Sequence, residues 1–213
     1  MTIQVRPAVA SDAAALAAIN IQAFSTDNGF IVNAFPGIAY EAIHQLKTTR
    51  FEQKISHPQT KVFVAVNENG DIVGCARWRV PVIQHDDRGN KVAEAGSGLA
   101  LPEGTNRGVY DGFFEVIKKK GAKYLRDDDI VLEFIATIPS YQGKGVARAL
   151  LTWGTEQADA QQKRIFLEAT PEGYPVYVKN GWKALERLEI DWGTWGGEGQ
   201  QTMTLMMRDP LHR

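Results

Sequence analysis

The segment Ile130-Val-Leu-Glu-Phe-Ile-Ala-Thr-Ile-Pro139-Ser-Tyr-Gln142-Gly-Lys-Gly145-Val-Ala-Arg-Ala-Leu-Leu151 constrains the fold more than any other. Residues 130–136 are apolar at every position except Glu133, the pattern of a strand covered on both faces. Pro139 cannot donate to a sheet ladder and closes the strand. Gly143 and Gly145 allow a sharp turn and a close approach of backbone to a ligand. Ala147, Leu150, Leu151, Gly154 and Ala158 then recur at helical spacing. Strand, glycine turn and helix start bring unpaired N–H groups and the positive end of a helix to one point. That is a ready site for a phosphate or pyrophosphate, and Lys144 adds a cation.

The elements before this segment read as follows. Thr2–Val9 alternates as a short strand, and Ser11 with Asp12 opens a helix carrying Leu16, Ile19 and Phe24. Ser25 to Pro36 reads as a loop, and Tyr40 to Ile55 as a second helix. Lys61–Asn67 and Ile72–Val80 form a hairpin about Asn67-Glu-Asn-Gly70-Asp. Residues 81–128 are an excursion between core strands, containing a helix from Val109 to Lys120 with Phe113, Phe114 and Ile117 inward. Arg126-Asp-Asp-Asp129 reads as a solvated turn.

After the glycine helix come a strand at Arg164–Ala169 and a short helix at Gly173–Asn180. A loose hairpin of Ala184–Trp192 and Gln201–Met207 follows. The expected fold is α+β, a mixed sheet of about seven strands flanked by helices, in one domain spanning residues 1–213.

A net charge of −1 gives no general pull toward nucleic acid or membrane. No apolar run approaches the roughly 20 residues that span a bilayer. No basic-then-apolar signal peptide opens the chain. Cys75 is the only cysteine, so no internal disulfide forms, and a reducing, cytoplasmic setting is expected. His44, His57, His85 and His212 are far apart, with no Cys/His pair at zinc spacing, so no metal is expected.

Two motifs carry a family resemblance. Gln142-Gly-Lys-Gly145-Val-Ala147 matches the Q/R-x-x-G-x-G/A signature of the GCN5-related N-acetyltransferases (GNAT). Farther on, Gly173-Tyr-Pro-Val-Tyr177-Val-Lys-Asn-Gly181-Trp182 resembles their G-x-x-x-Y-x-x-x-G-F motif, with Trp182 in place of phenylalanine. Leu101-Pro-Glu-Gly-Thr-Asn106 resembles the fungal small-molecule branch.

The resemblance implies acetyl-CoA wedged between two splayed parallel strands. Its pyrophosphate would rest on the amides of Gln142, Gly143, Lys144, Gly145, Val146 and Ala147. Phe134, Ile135, Ala136 and Thr137 would pair with the pantetheine arm, and Asn180 falls on the cofactor side too. Tyr177 would protonate the departing thiolate.

Glu133 is the odd charge in its strand. It reads either as the base that deprotonates the acceptor or as the partner of an arginine such as Arg77 or Arg79, with Glu168 a second choice of base. The family's strand glutamate, where present, falls two residues earlier, at Val131 here. Phe24, Phe30, Phe35, Trp192 and Trp195 fall where the family builds its acceptor cleft, and each reads equally as packing.

The activity so implied is transfer of an acetyl group from acetyl-CoA to a primary amine of a small molecule, by a monomer or homodimer. Nothing in the sequence selects among peptide, polyamine, aminoglycoside and xenobiotic amines. Two other readings stand beside it. One is a non-catalytic acyl-CoA sensor of the same fold. The other is a dinucleotide-binding oxidoreductase using Gly143, Gly145 and Glu168, with Arg148 misplaced at the third glycine.

Overall fold

A computed structural model describes residues 2–25, 29–81 and 98–211. In chain order its elements are β1 (Gln4–Pro7), α1 (Ala13–Phe24), α2 (Phe30–Ala34), α3 (Tyr40–Ser56), β2 (Thr60–Val66), β3 (Ile72–Arg79) and α4 (Arg107–Gly121). Then follow β4 (Ile130–Thr137), α5 (Val146–Ala160), β5 (Ile165–Ala169), α6 (Tyr174–Lys179), β6 (Lys183–Asp191) and β7 (Gln200–Arg208).

The strands form one sheet of order β1-β2-β3-β4-β5-β7-β6. All neighbours are antiparallel except β4 and β5. Because βαβ repetition would give a parallel sheet, this arrangement rules out the doubly wound dinucleotide fold.

Strand alternation sorts the side chains onto two faces. On one face α5 and α6 cover Trp78, Ile130, Leu132, Ile165 and Leu167. Gly154 is the point of closest approach: a Cβ there would lie 2.3 Å from the Trp78 ring. The other face is covered by α1 to α4 over Val64, Cys75, Val131, Phe134, Phe166 and Leu205. Each fully buried large apolar side chain contributes roughly 1.5–3 kcal/mol relative to exposure.

The structure corrects several local expectations. The segment from Ser25 to Pro36 contains α2, held by Asn33, whose Oδ1 accepts from Glu198 N at 2.7 Å. Ser11 does not cap α1; Asp12 instead accepts from Val9 N at 2.8 Å and pairs with Arg6 at 2.7 Å. Phe114 is 47% exposed, while Phe113 and Ile117 pack inward. Asp129 is no solvated turn residue: it is buried and bound to Arg164 at 2.6 Å. That pair, with Ile130 N donating to Arg164 O at 3.0 Å, fastens the starts of β4 and β5. Much of the expected excursion, residues 82–97, lies outside the described residues; the helix within it, α4, starts at Arg107 behind an Asn106 cap.

Candidate active site

β4 and β5 pair at only three positions, Ile130 with Ile165, Val131 with Phe166 and Leu132 with Leu167. Beyond Leu132 the strands diverge. β4 continues to Thr137 bonded to β3 alone, and Glu168 and Ala169 of β5 are bonded to β7 alone. The edge of β4 from Glu133 to Thr137 therefore faces a gap in mid-sheet. Backbone groups left there need a partner from outside the sheet. Thr137 Oγ1, at the end of that edge, is buried with no hydrogen-bond partner among the described residues.

The glycine turn stands at the open end of the gap. Gly143 and Gly145 both have positive φ, 72° and 84°, a region that costs other residues about 1–2 kcal/mol. No heavy atom lies within 4 Å of a Cβ built at either, so the turn opens on free space. Gly145 is the N-cap of α5 without a side-chain cap, which leaves the first-turn amides from Val146 onward available to a ligand. Tyr141 anchors the turn to the β2–β3 hairpin through Asn67 Nδ2, at 2.9 Å from its hydroxyl. Gln142 Nε2 donates to Thr137 O at 3.2 Å, and the exposed Lys144 ammonium lies 5.1 Å from the Tyr141 ring centre. Asn180 lies at the end of α6, where its Nδ2 donates to Val176 O at 2.7 Å. The donors left open to a pyrophosphate are the first-turn amides of α5 and the Lys144 ammonium, since Gln142 Nε2 and Asn180 Nδ2 are engaged within the chain.

Tyr177 projects from α6, buried against Trp182 with ring centres 5.9 Å apart. Its hydroxyl makes no hydrogen bond among the described residues. Burial and the nearby Glu168 charge raise its phenol above the ordinary range.

On the opposite face of the sheet the register shifts between Arg77 and Trp78, leaving Glu133 as an extra residue in β4. Its carboxylate meets Arg77 Nε at 2.9 Å, Lys54 Nζ at 3.6 Å and Arg79 Nε at 3.6 Å. Burial opposes its charge, but the three cations outweigh burial and hold the carboxyl below its ordinary value. Of the two readings of Glu133, the arginine partner is the one with a visible contact.

Glu168 occupies the position on β5 next after the last paired residue. It has no ion pair among the described residues, and burial, reinforced by the charge of Glu133, pushes it up to about 7. In sequence Glu168 stands second to Glu133, since nothing in Leu167-Glu-Ala169 shows where the strand pairing ends.

Aromatic residues wall this same side. Phe30 lies 4.8 Å from Phe113 and 5.6 Å from Tyr110, and Phe113 lies 5.7 Å from Trp192. Trp195 fits a notch at Gly112, where a Cβ would come within 2.4 Å of its ring. Asn106 Nδ2 donates to Gly196 O at 3.1 Å, tying the β6–β7 connection to α4. Phe24 packs instead on Phe134, ring centres 5.5 Å apart.

A parallel pair that parts in mid-sheet, with an amide-lined glycine turn at its open end, defines an acyl-CoA-dependent N-acyltransferase. The model of the acetyltransferase (GNAT) family matches residues 30–182, and the chain belongs to that family. Among solved structures it resembles an HPA2-related acetyltransferase of Corynebacterium glutamicum, at 22% identity and TM-score 0.64, covering 100% of this chain and 99% of that one. It also resembles a phosphinothricin acetyltransferase of Sinorhizobium meliloti in complex with AcCoA, at 18% identity and TM-score 0.57, covering 99% and 89%. A third is arylalkylamine N-acetyltransferase 2 of Aedes aegypti, at 13% identity and TM-score 0.66, covering 98% and 99%. At these identities the likeness is one of fold. No curated protein matches the sequence significantly. Among the described residues no helix is long and apolar enough to cross a membrane, and no group of three or more His, Cys, Asp or Glu is placed to hold a metal ion.

Proposed function

We propose that the protein transfers an acetyl group from acetyl-CoA to the primary amine of a small molecule by direct attack. The observation that carries this reading is the β4 edge from Glu133 to Thr137, which no neighbouring strand pairs among the described residues, running into the Gly143–Gly145 turn. The backbone of Phe134, Ile135, Ala136 and Thr137 offers the pairing surface for the pantetheine amides. A β4 N–H at the gap polarises the thioester carbonyl. Residues 142–147 take the pyrophosphate, and the Oδ1 of Asn180 adds an acceptor. Two of the matched proteins are named for small-molecule acceptors, and one of these, the phosphinothricin acetyltransferase, is in complex with AcCoA, which is consistent with this chemistry.

In the step itself the amine nitrogen forms a bond to the acetyl carbon and the carbon–sulfur bond breaks. The amine must first lose a proton, a change of about 4–5 kcal/mol for an ammonium of pKa ~10.4 at neutral pH. A carboxylate poised near 7 suits that task, whereas one held ionised by three cations does not. Glu168 thus takes the proton, directly or through water. Glu133 instead orders Arg77, Lys54 and Arg79. As the carbon–sulfur bond breaks, the second amine proton passes to the departing sulfur, which leaves as the CoA thiol, and Tyr177 donates a hydrogen bond to that sulfur from the opposite face.

The test is a panel of primary amines with acetyl-CoA, thiol release being followed by a chromogenic disulfide, beside calorimetric titration with CoA. Tight CoA binding without thiol release on any amine would refute catalysis and leave the sensor reading.

A further inference from the structure

Among the described residues, Lys47, Arg50, Lys54, Arg77 and Arg79 gather on the acceptor side of the gap. Lys47, Arg50 and Lys54 recur at i, i+3 and i+7 along α3, one face of the helix. Arg77 and Arg79 reach the same face from alternate positions of β3. Glu133 gathers Lys54, Arg77 and Arg79. That leaves two cations on α3 without a counter-charge. Lys47 has no ion pair or hydrogen bond among the described residues. Arg50 donates one Nη1 hydrogen to the Tyr110 hydroxyl, but its Nε is buried with no acceptor.

A half-buried cation lacking an anion is costly, and natural sites seldom keep one without use. Burial, with Arg50 and Arg77 close by, pushes the Lys47 ammonium down to about 7. The Arg50 guanidinium lies 5.4 Å from the Tyr110 ring centre, and Tyr110 stands against Phe30 and Phe35, so the unfilled donors border the aromatic wall. A guanidinium fork with a free Nε beside an ammonium suits a planar oxyanion.

We propose that the acceptor is an amine that also carries a carboxylate, and that Lys47 and Arg50 of α3 hold this carboxylate while its amine faces Glu168. The assignment deepens the acetyl-transfer reading and rests on it. It does not concern the pyrophosphate. Arg77 and Arg79 face Phe134 and Val131 across the β3–β4 register, toward the end of β4 away from the glycine turn.

The experiment compares amino acids with their decarboxylated amines, phenylalanine against phenethylamine and γ-aminobutyrate against n-propylamine, at one pH in low salt. Losing a charge-assisted pair should lower kcat/KM roughly 10- to 100-fold for the amine without a carboxylate. Lys47→Met and Arg50→Gln should lower kcat/KM for phenylalanine and γ-aminobutyrate more than for phenethylamine and n-propylamine and so abolish the preference, and both are checked for an unaltered melting transition. If Arg50→Gln fails to fold, Lys47→Met alone decides. Robust turnover with equal or better use of the decarboxylated amines overturns the carboxylate subsite and leaves acetyl transfer intact. If no amine is acetylated, acetyl transfer fails. Calorimetry of phenylalanine and phenethylamine on the CoA-loaded protein then decides the subsite: tighter binding of phenylalanine supports it, equal binding overturns it.

Discussion

Replacing Tyr177 by phenylalanine removes one oxygen from the thiolate side of the gap and little else. The ring keeps its packing on Trp182, and the lost hydroxyl had no hydrogen bond among the described residues, so the fold should be nearly indifferent. The magnitude follows from the environment of the phenol. A CoA thiol ionises near ~8.5 and a free phenol near ~10, so full proton transfer from tyrosine to thiolate runs uphill by about 1.5 units, or about 2 kcal/mol. Burial and Glu168 raise the Tyr177 phenol further and lengthen that climb. Tyr177 therefore stabilises the leaving sulfur by a hydrogen bond to a developing anion, worth about 1.5–3 kcal/mol. The expected loss in kcat is roughly 10- to 150-fold. Thiol release under saturating acetyl-CoA measures it, and CoA affinity by calorimetry should stay within about twofold. Because the phenol is raised, the parent enzyme should show no descending limb from this group below about pH 10. A variant with kcat within about threefold of the parent, or with CoA binding reduced in step with turnover, would remove Tyr177 from the leaving-group role.

Three further outcomes follow from the site and its supports. Gly145→Val forces a β-branched residue to a φ of 84°, which costs about 1–2 kcal/mol and should weaken CoA binding roughly 5- to 30-fold by calorimetry; an unchanged affinity would detach the turn from the ligand. Glu168→Gln should alter stability only above acidic pH. The folded carboxyl, held up to about 7, retains a proton that an unfolded one loses near ~4.3, so parent stability drops as pH rises through that window. The variant should gain on the parent by roughly 2.5 kcal/mol between pH 5 and pH 8, or roughly 5–10 °C in melting temperature, and a parent that gains stability over the same range would contradict the assignment. Gly154→Ala drives a methyl to within 2.3 Å of the Trp78 ring and should cost about 1–3 kcal/mol by overpacking, read as a lower melting temperature with CoA affinity retained.

What could be read from sequence depended on whether the signal was local. β4, the glycine turn and α5 were legible because an apolar run, a proline stop and a helical stripe lie end to end between Ile130 and Leu151. α2 was not, because five residues are too few to show a helical period. Asp129 looked wet because its partner, Arg164, lies across the sheet and far along the chain. Glu133 could be narrowed to two readings by its charge alone, but the three cations around it come from α3 and β3. In sequence the cationic face of α3 is simply part of a helix from Tyr40 to Ile55. Its trace was present nonetheless: Lys47, Arg50 and Lys54 fall on one helical stripe, and Arg77 and Arg79 interrupt an otherwise apolar strand.

The parting of β4 from β5 also makes the ligand a missing strand in the thermodynamic sense. An uncovered row of main-chain groups in mid-sheet behaves like a peripheral edge and invites pairing with any extended chain. Among the described residues, the three rungs at Ile130–Leu132 and the Asp129–Arg164 clasp join β1–β4 to β5–β7 within the sheet. Amide hydrogens from Glu133 to Thr137 that point into the opening should exchange quickly in the free protein and slow sharply once CoA is added, if the cofactor pairs there as proposed.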